Sequence, residues 1–290
     1  MKFSTSVNIE RDCDKKFNYI VTANAKQAVG KIIDSFNSGV HSFCLIGSYG
    51  TGKSSFLLAL QQCLNGKQTT ENQLIKNKGQ FNGLTKFRFV NIVGDYMPLI
   101  ELLQNHVKHD NKKDNIFKTI DALYSECEKN DTFLVFVIDE FGKVLEHAAK
   151  NNPEREMYFL QKFCEYVNDT SKNILFLSTL HQGFNAYAKN LKLEQRQEWT
   201  KVKGRIQDIV FKEPIEQLLN LAATRLADKR KDNDCAAIHT LYDLAIKSKF
   251  TTDNLKPDVV SALYPMDVFA AHILTQANQR YGQNERTLFA

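Results

Sequence analysis

The segment Gly47-Ser48-Tyr49-Gly50-Thr51-Gly52-Lys53-Ser54 constrains this 290-residue chain more than any other feature. It completes the pattern G-x-x-x-x-G-K-[ST], which arises by chance in roughly one per cent of chains this long. Its flanks suit the pattern. Ser42-Phe43-Cys44-Leu45-Ile46 is a short apolar run ending directly in glycine and reads as a buried strand. From Ser55 to Leu64, Phe56, Leu57, Leu60 and Cys63 recur at helical spacing. A strand, a glycine loop and a helix N-terminus in series form a phosphate cradle. The glycines let backbone N–H groups turn towards phosphate oxygens, and the helix end adds partial positive charge. Gly47, Ser48, Tyr49, Gly50, Thr51, Gly52, Lys53, Ser54 and Ser55 are therefore the candidate nucleotide-binding set. Lys53 would bridge the β- and γ-phosphates of ATP, and the Ser54 hydroxyl would hold Mg2+. The alternative is a plain glycine-rich turn before a helix.

A second element must hold the metal and prepare a water. Thr132 to Ile138 is almost continuously apolar, as expected of a parallel strand covered on both faces, and it delivers Asp139 and Glu140 side by side. Asp139 is the candidate metal ligand and Glu140 the carboxylate that polarises the attacking water. A helix cap is the simpler alternative for this pair. Asn173 to Ser178 is a further apolar strand, predicted to lie between the phosphate-loop strand and the acidic strand. Ser178, Thr179 and His181 stand at its end, each a candidate to sense the γ-phosphate or orient the water; Thr179 is preferred, with ordinary strand-end hydrogen bonding the alternative for all three.

The rest of the pattern alternates strands and helices. A helix spans about Ala25 to Phe36, a strand Phe87 to Val93, and a helix runs to about Glu128. Another helix opens at Asn152-Pro153, and a strand covers Ile206 to Phe211. Residues 65 to 83 are polar and read as a surface connection. This alternation implies an α/β fold with a parallel sheet, a P-loop NTPase core. From Pro214 onward only helical patterns occur: Ile215 to Asp228, Ala236 to Lys247 and Val268 to Tyr281. The expected organisation is an arm over 1–20, a core over 21–213 and a small helical lid domain over 214–290. The apolar stop at Leu288-Phe289-Ala290 reads as a piece of a longer protein.

Composition removes other classes. No run approaches the roughly 18 apolar residues of a membrane span, and the N-terminus lacks a signal-peptide pattern, so a cytoplasmic location without membrane contact is expected. Six cysteines without a Cys-x-x-Cys pair fit reduced core thiols. His106 and His109 stand three apart, but no further ligand pattern surrounds them. A net charge of +5 permits contact with nucleic acid without implying it.

The phosphate loop, Val137-Ile138-Asp139-Glu140-Phe141 and Gly204-Arg205-Ile206 together resemble the AAA+ branch of P-loop ATPases. The resemblance implies roles for further residues. Arg205 matches the arginine that such ATPases insert into a neighbouring subunit's site, with Arg196 a weaker rival and a surface salt bridge the alternative for both. Arg286 takes the position of the second sensor at the start of a lid helix, with Arg280 as runner-up. Val21 and Thr22 match the region that cradles adenine. The family has Ser and Phe where this chain has Gly204 and Ile206. More narrowly, Ile138 to Glu146 and Asn284 to Phe289 look like the large ATPases of prokaryotic phage-defence systems, including the BREX type. The resemblance thus implies an ATP hydrolase that self-associates and works on DNA or on a defence-complex subunit. The competing expectation is a nucleotide-dependent switch with slow hydrolysis, and a small-molecule kinase is disfavoured by Glu140.

Overall fold

The computed structural model describes residues 7–15, 19–66, 74–75, 78–107, 115–227, 236–252 and 254–281. In chain order its elements begin with α1 (Ala23–Asn37), β1 (Ser42–Ile46), α2 (Lys53–Leu64), β2 (Lys86–Val93), α3 (Leu99–His106) and α4 (Ile116–Lys129). They continue with β3 (Thr132–Asp139), α5 (Gly142–Lys150), α6 (Pro153–Val167), β4 (Ile174–Leu180), α7 (Leu193–Lys203) and β5 (Gln207–Val210). The last described elements are the helices α8 (Ile215–Ala227), α9 (Ala236–Lys247), α10 (Pro257–Ala262) and α11 (Val268–Tyr281). The five strands form one parallel sheet in the order β2-β3-β4-β1-β5. This is an α/β fold, with β4 between β1 and β3.

The period of two along β3 explains its unbroken apolar run. Phe133, Val135 and Val137 enter the cluster shared with α1 and α2, while Leu134, Phe136 and Ile138 enter the one shared with α3 to α7. Asp139 continues the first phase and so belongs to the face that carries α2. Both faces of this strand are dry, which leaves its carboxyl end as the place where polar groups can emerge.

The chain divides into two compact units. One holds Val7–Gly47 and Gly52–Phe211; the other holds the described residues from Lys212 onward together with Ser48–Thr51. The second unit has its own core, in which Leu219, Ile238, Leu255, Val260, Leu263 and Val268 are buried. Its helix α10 lacks a long periodic pattern and does not figure among the predicted helices.

Some segments depart from the sequence-based expectation. Residues 65 to 83, expected to be a surface connection, contribute Leu74, Ile75 and Phe81 to the core. These are isolated apolar residues among polar ones, with no period to mark them. Helix α7 is absent from the expectation because its apolar content is low. It is anchored by one fully buried Trp199, whose Nε1–H donates to the Phe184 carbonyl at 3.1 Å. Strand β4 starts at Ile174 rather than Asn173 and runs on through Ser178 and Thr179 to Leu180. Its hydroxyls are absorbed by neighbours: Ser178 Oγ donates to the Phe43 carbonyl at 3.1 Å.

The leading segment 7–15 lies along the outer edge of the sheet. Ile9 is buried, its carbonyl accepts from Asn91 Nδ2 at 3.1 Å, and Glu10 Oε1 accepts the Val93 N–H at 2.5 Å. His106 is occupied here too, with Nδ1 2.8 Å from the Leu102 carbonyl and Nε2 3.1 Å from Glu10 Oε1. His109 lies outside the described residues. Among the described residues no cluster of three metal-ligating side chains occurs, and no helix is long and apolar enough to cross a membrane.

Candidate active site

Helix α2 begins at Lys53, and its N-cap is Gly52 in a left-handed conformation, φ +84°, with no side-chain cap. Gly50 also has positive φ, +73°. A glycine cap leaves the first N–H groups of the helix without a side-chain acceptor, the condition under which a helix end takes an anion. Thr51 Oγ1 donates to the Ser48 carbonyl at 2.9 Å and tightens the turn, while Tyr49 is exposed. Ser54 and Ser55 occupy the next positions of α2, partly exposed.

Lys53 is buried, and its Nζ donates to the Gly47 carbonyl at 2.6 Å. Burial pushes its ammonium down to about 8, against the opposing pull of Asp139 first among the nearby charges. His181 is the first residue after β4, and its Nδ1 lies 3.5 Å from Lys53 Nζ. Burial, then Lys53, then Lys143 hold that imidazole down at about 4, so it is neutral at physiological pH.

The acidic pair is built between β3 and β4. Thr179 Oγ1 donates to Asp139 Oδ1 at 2.6 Å and accepts the Glu140 N–H at 2.9 Å. Asp139 Oδ1 also accepts that N–H at 3.1 Å. Thr179, the expected sensor of the γ-phosphate, is instead fully buried, and its hydroxyl serves these two neighbours. Its place is that of a positioning residue, because strand β4 continues past it and turns its side chain towards β3. The polar group left at the strand end beside Lys53 is His181.

Glu140 has φ +55°, a left-handed conformation that costs a non-glycine residue about 1–3 kcal/mol unless its surroundings enforce it. The two acceptors on its N–H enforce it from one side. From the other, Gly94 donates its N–H to the Asp139 carbonyl at 2.7 Å, so close that a Cβ on Gly94 would stand 2.5 Å from the Glu140 carbonyl oxygen. Glu140 projects a partly exposed carboxylate, and Lys143 Nζ meets its Oε2 at 2.6 Å. Sequence reasoning missed Gly94 and Lys143; the i,i+3 spacing of Glu140 and Lys143 is the one available signal.

Arg205 and Arg196 are held by partners of their own. Arg205 Nη2 pairs with Glu165 Oε1 at 2.9 Å and its Nη1 donates to the Lys201 carbonyl at 2.7 Å. Arg196 donates from Nε to the Leu191 carbonyl at 2.9 Å and from Nη2 to that of Lys189. Val21 is half-buried just ahead of α1, whose N-cap Thr22 accepts the Ala25 N–H at 3.0 Å. Arg286 lies outside the described residues, and Arg280 falls within α11. In the second unit a cleft of about 640 Å³ is lined by Lys212, Glu213, Ile215, Phe250, His272 and Gln276 among others.

Magnesium keeps several waters and takes one or two protein oxygens plus phosphate, and the candidate donors are of that kind: the Ser54 hydroxyl at the start of α2 and the buried Asp139 carboxylate at the end of β3.

No protein-family model matches the chain, and no curated protein is significantly similar to it in sequence. Solved structures do match. The Aeropyrum pernix ORC2 protein, solved in ADPNP–ADP complexes, aligns over 94% of this chain and 68% of its own at 14% identity, with a TM-score of 0.50. CDC6P from Pyrobaculum aerophilum aligns over 94% and 68% at 15% identity and TM-score 0.44, and C. elegans PCH-2 over 93% and 65% at 13% and 0.44. The chain has an AAA+-like fold. At 14% identity to the ORC2 protein the likeness is one of architecture, and the strand order β3-β4-β1 is what sets Asp139, His181 and the loop leading to Lys53 at adjacent strand ends.

Proposed function

We propose that the chain is an ATP-binding and ATP-hydrolysing AAA+-like module that acts in an oligomer. The observation that carries this is the convergence of Lys53, Asp139, Glu140 and His181 at the carboxyl ends of the adjacent strands β1, β4 and β3. In this reading the phosphates lie on the loop 47–54, with Ser54 and Asp139 holding Mg2+. The metal, when bound, neutralises charge that develops on the phosphates. Lys53 supplies a buried cation to the same oxygens. Glu140 takes the proton of the attacking water, and Thr179 keeps Asp139 and Glu140 in register. His181, neutral, offers a ring nitrogen to the γ-phosphate or the water. Val21 is the adenine-side candidate, and Arg286 the lid-side one.

The finer parts of the proposal rest on the motif resemblance. They are a trans-acting Arg205, work on DNA or a defence-complex subunit, and a place in bacterial phage defence within the cytoplasm. ATP turnover per protomer, measured against protein concentration with and without duplex DNA, tests them together. Turnover that rises with concentration and is lost in Glu140→Gln supports a shared hydrolytic site, and stimulation by DNA supports a nucleic-acid substrate. Turnover unaffected by Glu140→Gln overturns the assignment.

One observation favours a second reading, a nucleotide-dependent switch with slow hydrolysis. Both groups that would speed the reaction are engaged elsewhere, Glu140 with Lys143 and Arg205 with Glu165. A steady rate near or above about 1 s⁻¹, common for enzymes, argues against the switch.

A further inference from the structure

The segment 7–15 is fastened to the sheet in part by a group that can change its charge. Ile9 is buried, and its carbonyl accepts from Asn91 Nδ2 at 3.1 Å; from α2, Gln62 Nε2 donates to the Lys15 carbonyl at 2.7 Å. Between these two points lies Glu10. Its Oε1 accepts the Val93 N–H at 2.5 Å and stands 3.1 Å from His106 Nε2. On its other side the His106 ring brings Nδ1 to 2.8 Å from the Leu102 carbonyl, one turn back on α3. Two oxygens therefore bracket one imidazole. A carbonyl can only accept, and so can an ionised carboxylate. Neutral histidine has a single N–H and serves one of them, leaving a lone pair against the other. The imidazolium has two N–H groups and serves both.

We propose that the segment 7–15 is a proton-linked strap: protonated His106 clasps Glu10 and closes the strap on β2, and loss of that proton to water loosens it. The charges of the neighbouring elements leave this contact in control. Within the strap, Arg11 and Lys15 both pair with Asp12, at 2.7 and 2.8 Å. On α3 the charged neighbour is Glu101, five residues before the ring, and Glu156 of α6 meets the Leu99 N–H at the opposite end of that helix. On β2, Arg88 is paired with Glu126 of α4, and Lys86 stands at the far end of the strand from Val93. Glu10 is the charged group in contact with the ring among the described residues. The two side chains are 28% and 39% exposed, so the pair shifts a population by a few-fold and does not bolt the strap down. Opening bares the Val93 N–H and the seat of Ile9 on the outer strand.

Hydrogen exchange at the Val93 amide reads the strap directly, because Glu10 is its acceptor. Exchange followed by NMR and expressed as a protection factor removes the intrinsic dependence of the rate on pH. In wild type that factor should fall about three- to fivefold from about pH 5.5 to 8.5, the span in which histidine loses its charge while glutamate stays ionised. Glu10→Gln keeps an oxygen for the Val93 N–H and removes the charge that favours the imidazolium. Its protection should be flat with pH and close to the wild-type value at the alkaline end. His106→Gln takes up no proton and should be flat as well. The sheet amides in the same spectra show that each variant is folded, and either variant suffices for the test. Nucleotide is left out, so the result stands apart from the hydrolytic reading. Wild-type protection that is constant across the range overturns the strap's link to the proton. A rise with pH, or a fall that persists in either variant, overturns it too.

Discussion

At the carboxyl ends of β3 and β4, Asp139, Glu140 and Thr179 are held by bonds made from strand to strand. Along α7 and the turn after it, Arg196 and Arg205 are held by nearby carbonyls and by Glu165. The first arrangement is over-determined. Sheet register fixes which residues face each other, and the positive φ of Glu140 is sustained by three separate neighbours, Thr179, the Asp139 side chain and the close approach of Gly94. The second arrangement depends on long side chains reaching whatever acceptor lies near a helix end. A motif on strand ends therefore transfers geometry along with residue type, whereas a motif of one arginine on a helix transfers residue type alone.

The largest effect that would test this contrast is on the rate. Glu140→Gln keeps the size of the side chain and removes its basicity, and turnover should fall about 10²- to 10⁴-fold, checked by steady-state ATPase assay with ATP affinity retained. Next comes stability. Thr179→Val strips Asp139 Oδ1 and the Glu140 N–H of a shared partner in a buried place and should cost about 1–3 kcal/mol in denaturant unfolding. Thr179→Ser, which keeps the hydroxyl, should lose clearly less; equal losses would mean that the methyl, not the hydrogen bonds, holds the strand ends.

A smaller effect concerns pH. His181 titrates near 4 in the folded chain against an ordinary 6.5, so the unfolded chain takes up a proton in that window which the folded one refuses. Stability should fall as pH drops from about 6.5 towards 4, and His181→Gln should flatten that part of the profile in thermal or urea melts. The smallest effect belongs to the other region. Arg205→Ala breaks a partly exposed pair with Glu165 and should change stability by less than about 1 kcal/mol, measured on the isolated protomer. A loss of several kcal/mol would place Arg205 among the structural residues and weaken the case for it as a trans-acting group.

Much of the scaffold is legible in the sequence for a physical reason. Apolar runs of strand length between glycine and polar breaks, such as 42–46 and 132–138, have few other places to go than a sheet covered on both sides. The phosphate loop is legible because Gly50 and Gly52 need left-handed backbone there. The features that escape are those decided by the far side of a contact. Strand β4 outlasts its apolar run because Phe43 and Asp139 stand ready to accept from Ser178 and Thr179. That two-residue extension buries Thr179 and leaves His181 as the first residue past the strand. Helix α7 hangs on Trp199, and one large side chain gives no period. The ion pair of Glu140 with Lys143 depends on a backbone conformation that glutamate seldom adopts, so spacing alone could not reveal it.

The segment 7–15 has a consequence of its own. Strand β2 is an outermost strand of the sheet, and unpaired N–H groups on such a strand are templates for a foreign chain. Glu10 sits on the Val93 N–H and Ile9 is tucked in beside Asn91, so the chain supplies its own guard against templated growth on that side. A version of the protein that began after residue 15 would keep every described strand yet lose both of these contacts on β2. Its first failing would be self-adhesion during expression rather than any loss of nucleotide chemistry.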